Sequence, residues 1–186
     1  MTRLTLPPEE ELTHEQRAAC AEAVSGLRGR VPAPMTAWIR NPEFARRAQT
    51  LGALLRYQTT LEPRLSELAI LVCARHWTSH YEWYAHKSAA LSAGLSPAII
   101  AAIAAGERPA SMQANEAALH RFSSELLETK RVSDETFAAA KAAFGEQGVA
   151  EIIFTLGYYS MVSMLLNVDE YPLPDGVEPE LKPLAR

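Results

Sequence analysis

Ser79, Glu82 and His86 stand in the stretch SHYEWYAHK (79–87) at the spacing i, i+3, i+7. On a helix that spacing forms one stripe, because residues three and four apart share a face. Glu82 and His86 then lie close enough for the carboxylate to orient or charge the imidazole. Histidine titrates near neutral pH, so the pair suits general acid–base work. The same pair also occurs on solvated helices, and spacing alone leaves a structural role open. His80 falls off the stripe and reads as a surface residue. His76 ends the preceding helix, where the C-terminal dipole would meet it.

Glu67, in LSELAILV, is a single acid in an otherwise nearly apolar run. A carboxylate buried there must pair, coordinate or stay protonated. An ion pair with Arg64 or Arg75 is the structural reading. A proton relay to a histidine on the next helix is the functional one, with one carboxyl held neutral by burial. Arg56 or Arg64 is a candidate to hold a substrate carboxylate through a bidentate contact. Tyr81, Trp83 and Tyr158 or Tyr159 are candidates to wall an apolar pocket, and each reads equally as core.

Helices must position these groups. Strand-like alternation is rare, and apolar residues recur at helical spacing. A first helix is expected from about His14 to Leu27, then a proline-rich turn, RGRVPAPM. Asn41-Pro42 reads as N-cap plus N1 proline, opening a helix over 42–57. Thr60 is read as the cap of a helix that carries Pro63 in its first turn and runs to about Trp77. That helix is apolar nearly all round, the mark of a buried helix. The SHYEWYAHK helix is expected over 79–93, stopped by Gly94. Ser96-Pro97 restarts a short helix that Gly106 closes. Further helices are expected over 113–129, from Ser133 to Phe144, and from Glu146 to Asn167. The organisation expected is an N-terminal helix and linker (1–40), a helical domain (41–170) and a proline-rich C-terminal arm (171–186).

Composition narrows the function classes. Hydrophobic residues make up 48% of the 186, so a real core is possible. The net charge of −4 comes with no basic run, which argues against nucleic acid. Leu68–Ala74 and Leu95–Ala105 read as the longest apolar stretches, both too short to span a bilayer. The acidic N-terminus is not expected to be a signal peptide, and Cys20 and Cys73 form no CxxC or zinc pattern. A cytoplasmic protein with reduced thiols, free of membrane and metal, is expected.

The run PRLSELAILVCARHWTSHYEWYAHKSAALSAGLS resembles the core of the carboxymuconolactone decarboxylase superfamily, which includes the AhpD-like alkylhydroperoxidases. The shared pattern is an E-L-x-I-L helix, then a C-x-x-C-x-x-x-H helix or its cysteine-free variant, then a glycine and L-[ST]. The resemblance spans roughly Pro42 to Leu95, and GYYSMVSMLLN more loosely. It implies an all-α, AhpD-like multi-helix bundle. By position, Glu67 takes the family's glutamate place and His86 its histidine place. Ser79 and Glu82 stand where peroxidase members carry two redox cysteines. Thiol–disulfide exchange needs an attacking thiolate and a resolving cysteine, so peroxidase chemistry is not expected at this site. Glu82-x-x-x-His86 is similar instead to the cofactor-free decarboxylase branch. That enzyme is a shorter chain and does not usually carry the E-L-x-I-L glutamate, so neither activity is matched in full.

The expected function is a cofactor-independent lyase or isomerase acting on a small organic acid or lactone. Glu67, Glu82 and His86 are its expected catalytic residues; Ser79, Tyr81, Trp83 and Arg64 are expected to bind substrate. The alternatives are a non-catalytic oligomeric protein that binds a small ligand, and a peroxidase-related protein without the redox pair. The resemblance implies a homo-trimer or hexamer, with the N-terminal helix, RVPAPM and the tail as contact arms.

Overall fold

The computed structural model describes residues 2–27 and 29–183. Met1 and Arg28 of the expected N-terminal segment, and Leu184, Ala185 and Arg186 of the expected arm, lie outside the described residues. The described residues form α-helices joined by turns and coil, with a 3-10 turn at Glu9–Glu11 and no strand. The all-α bundle expected from the sequence is the observed fold.

The helices are α1 (His14–Ser25), α2 (Met35–Trp38), α3 (Pro42–Tyr57), α4 (Pro63–His76), α5 (His80–Ser92), α6 (Pro97–Ala105), α7 (Ala114–Thr129) and α8 (Asp134–Asp169). Local chemistry explains their ends. Thr13 and Gln16 form a capping box on α1, and the Asn41 side chain accepts from Phe44 N to open α3. Ser96 accepts from Ala98 N ahead of Pro97 on α6. Thr60 does not cap α4: Glu62 holds the N-cap position, and Thr60 donates through N and Oγ1 to Glu151 of α8. The physical reason is Pro63, which suits N1 because its missing N–H needs no partner there.

α4 is the central helix. Every residue from Leu65 to Arg75 is buried, and α4 packs against α5, α7 and α8. Its C-terminus turns sharply: Thr78 has φ 47°, Thr78 N donates to Arg75 O, and Ser79 N donates to Ala74 O. This reversal lays α5 back along α4, which brings Glu67 and His86 face to face.

Three features depart from the sequence reading. The proline-rich linker contains a one-turn helix, α2, whose Met35 and Trp38 enter the core. The two expected C-terminal helices are stacked as one element, broken at Gly145 with φ 66° and ψ −179°, a conformation glycine tolerates. α8 is long and apolar enough, by length and composition, to cross a membrane, contrary to the expected short apolar stretches. Half of its most apolar window is buried inside the molecule.

The segments expected to act as arms are tied to their own chain. α1 packs on α3, with Ala19 and Ala23 in the core. Residues 3 and 4 dock on the end of α8: Arg3 N donates to Asp169 O, and Leu4 N to Asp169 Oδ1. The other Asp169 oxygen accepts from Thr36 Oγ1 at 2.9 Å. At the C-terminus, Leu181 is buried, and Glu180 accepts from Trp83 Nε1 and Lys87 Nζ.

Candidate active site

His86 is held between two carboxylates. Its Nδ1 donates to Glu67 Oε2 on α4 at 2.6 Å, and its Nε2 lies 3.1 Å from Glu82 Oε1 one turn earlier on α5. Glu67, Glu82 and His86 are each only 5% exposed. The second Glu67 oxygen accepts from Arg56 Nε on α3 at 3.2 Å. Three helices thus converge on one chain of contacts, Arg56–Glu67–His86–Glu82. The Tyr159 ring of α8 stands edge-on to the imidazole, with centroids 5.0 Å apart, and Tyr158 packs on Tyr159.

The electrostatics follow from that chain. Burial pushes the Glu67 carboxyl up, but the His86 hydrogen bond and charge, with Arg56, outweigh it and hold Glu67 below the usual carboxylate range. Burial pushes His86 down, yet Glu82 and Glu67 outweigh it and raise the imidazole above the usual histidine range. Burial likewise opposes the charge on Arg56, and Glu67 more than restores it. The expectation that burial keeps one carboxyl neutral therefore fails for Glu67, because two cations face it. Its partners are Arg56 and His86, not Arg64 or Arg75.

A cavity of about 310 Å³ opens onto this centre. Glu82, His86, Arg56, Tyr57 and Tyr81 line it, with Arg30 and the Pro32–Pro34 turn of the α1–α2 linker. Tyr158 and Tyr159 close its inner side. Glu67 is absent from the lining and sits behind His86. That is the place of a group that orients the imidazole, while Glu82 and His86 face the space where a ligand would sit.

The other expected substrate contacts are dispersed. Tyr81 lines the cavity. Ser79 is the N-cap residue of α5, fully buried, and belongs to a separate cleft with His80 and Asn167. Trp83 is buried on the side of the helix that meets the C-terminal arm, where its Nε1 donates to Glu180. Arg64 is drawn away by Glu116 and Glu62 at the start of α4. Arg56 and Arg30 supply the cavity's guanidiniums instead. Arg56 was singled out in the sequence only as a rival to Arg64. Nothing in the sequence pointed to Arg30, because no helical periodicity relates the linker to α5.

Cys73 does not reach the cavity. It is fully buried on α4, with Sγ 3.4 Å from Ser160 Oγ and 3.6 Å from Leu156 O. Burial pushes its thiol up to about 12, which leaves almost no thiolate at neutral pH. A larger cavity of about 500 Å³ lies between α4, α6 and α7 and contains His76 and His120. Burial pushes both of those imidazoles down. Among the described residues, no group of three or more His, Cys, Asp or Glu side chains is placed to hold a metal ion.

No protein-family model matches the chain, and no curated protein sequence matches it. The structure is similar to the crystal structure of an uncharacterized peroxidase-related protein from Silicibacter sp. TM1040. The TM-score is 0.75 at 17% identity, over 91% of this chain and 90% of that one. Across nearly its whole length, this chain has the all-helical fold of that peroxidase-related protein.

Proposed function

We propose that the chain is a cofactor-independent acid–base enzyme of the lyase or isomerase kind, similar to carboxymuconolactone decarboxylase, acting on a small organic acid or lactone. One observation carries this reading: a buried imidazole flanked by two carboxylates opens onto an aromatic-walled cavity. Glu67, clamped by Arg56, orients His86. Glu82 and the charged His86 then present an acceptor and a donor side by side. In a proton shift, Glu82 takes the proton from the carbon next to a carbonyl, the electron pair moves onto the carbonyl oxygen, and Glu82 then returns the proton at the far carbon of the conjugated enolate. Once Glu82 is protonated its hold on His86 Nε2–H weakens, and that N–H donates to the oxygen as charge develops. In a decarboxylation the C–C bond to CO2 breaks instead, the pair follows the same route, and the carbon then takes a proton from the charged His86, which solvent water recharges. The test is turnover of small lactones and oxo acids, read as CO2 release and product formation. Wild type is expected to convert one of them, and His86→Gln to lose that activity while keeping its fold. Equal turnover by both would remove His86 from the chemistry.

The peroxidase-related neighbour favours a second reading, a peroxidase-related protein. It would have to work without a CxxC pair at 79–82, and steady hydroperoxide consumption would establish it.

The chain is also proposed to assemble with copies of itself through α8. Ile153, Phe154, Met164 and Val168 are 43%, 58%, 44% and 63% exposed on one face. That face carries no charge, so a second copy meets it without like-charge repulsion. Gly157 lies in its middle, and a Cβ there would meet nothing within 4 Å. A glycine inside a helix costs about 1 kcal/mol against alanine. Among the described residues nothing requires it, whereas a closely approaching second helix would.

A further inference from the structure

We infer that Arg30, on the linker between α1 and α2, is the residue that recognises a carboxylate on the ligand of this cavity. The inference rests on the proposed acid–base reading for the identity of the cavity, and extends it to the charge of what enters.

The charges around the cavity are unequal. Arg56 is matched by Glu67, and His86 stands between Glu67 and Glu82. Counting Arg30, three cations face two carboxylates, and the surplus is Arg30. It lines the cavity, is exposed, and makes no hydrogen bond or ion pair with any described residue. Its charge reaches Tyr81 on the cavity wall. An exposed guanidinium at a cavity rim keeps all five donors for a ligand, and its fork matches a carboxylate in two parallel bonds. Arg56 spends its Nε on Glu67 and stacks over the Tyr57 ring at 5.3 Å, so it assists from the same wall.

The linker is placed to present Arg30. Gly29 takes φ 65°, Pro32 and Pro34 stiffen the turn beyond, and Met35 is buried. Thr36 is fastened to the fully buried Asp169. A strap held this way keeps a flexible side chain over one opening. An anion seated against Arg30 would put the rest of a small ring among Tyr57, Tyr81 and Tyr159, beside Glu82 and His86.

Binding of benzoate and of its neutral analogue benzamide, followed by NMR titration of the full chain, tests this. Wild type is expected to bind benzoate at millimolar concentration and benzamide at least about tenfold more weakly, a difference of about 1.4 kcal/mol. Arg30→Gln is expected to weaken benzoate about tenfold, leave benzamide unchanged and leave the melting temperature unchanged; Arg30→Lys should lose less. His86→Gln should still bind benzoate, which separates this assignment from failure of the acid–base chemistry. Undiminished benzoate binding by Arg30→Gln would overturn the inference. So would equal binding of benzamide by wild type, absence of benzoate binding, or its loss in His86→Gln alone.

Discussion

Glu67 on α4 and His86 on α5 meet at 2.6 Å, although nineteen positions separate them in the chain. The contact exists because Thr78 reverses the chain and α5 returns along α4. It joins an acid that no apolar helix should tolerate to an imidazole that burial should neutralise. Each makes the other's charge possible.

Removing one partner should therefore be costly. Glu67→Ala leaves Arg56 and His86 as neighbouring cations in a buried site. A loss of about 3–5 kcal/mol in chemical denaturation is expected, as for other broken buried pairs. Lys141→Ala, at an exposed contact with Glu146, should cost no more than about 1 kcal/mol. Equal costs would mean that the Glu67 contact is not a buried ion pair.

The same pair fixes the pH dependence of stability. His86 is raised on folding, so its contribution is full below the ordinary histidine value and is lost as pH rises through the folded value. Glu67 is lowered on folding, so its contribution is present above the ordinary carboxylate value and is lost as pH falls through the folded value. Melting temperature measured against pH should show a plateau between those limits. His86→Gln should flatten the alkaline limb. An unchanged alkaline limb in that variant would mean that His86 carries no raised charge.

The thiols should be unequal. Cys73 is fully buried with its pKa pushed up to about 12, whereas Cys20 is partly exposed. In the native protein an aromatic disulfide reagent near pH 8 should label Cys20 and spare Cys73 until denaturant is added. Rapid native labelling of Cys73 would contradict its packing against Leu156 and Ser160.

Self-association through α8 predicts a concentration-dependent species larger than the monomer in sedimentation velocity. Phe154→Asp should shift it to monomer without loss of helicity, because Phe154 is exposed in the single chain. A wild-type monomer at micromolar concentration would defeat that proposal.

The frame was legible where local chemistry dictates it. Asn41-Pro42, Ser96-Pro97 and Gly106 mark helix ends through caps and backbone preference, and α3 and α6 fall close to where those signals put them, as α7 does to its amphipathic spacing. The nearly all-round apolar pattern of α4 marked it as a buried helix, and every residue from Leu65 to Arg75 is buried. Tertiary choices were not legible. α2 is a single turn, too short for a periodic signal, and prolines precede it. Thr60 looks like a cap but is claimed by Glu151 from the far end of the chain. Arg64 and Arg56 are equivalent candidates by composition. Glu116 draws the first away, and the second is left for Glu67. In the stripe on α5, periodicity aligned Glu82 with His86, but Ser79 at its start faces a different cleft because it closes the turn from α4.

Glu82 and His86 are proposed to act as one proton-transfer pair facing the cavity. The most direct measurement is hydrogen–deuterium exchange, in D2O, at carbons next to the carbonyl of small lactones and oxo acids, followed by proton NMR. Wild type is expected to catalyse exchange on at least one of them. Glu82→Gln and His86→Gln should each cut the rate at least about a hundredfold, within the range for loss of a general acid or base. Exchange at the wild-type rate in either variant would contradict it.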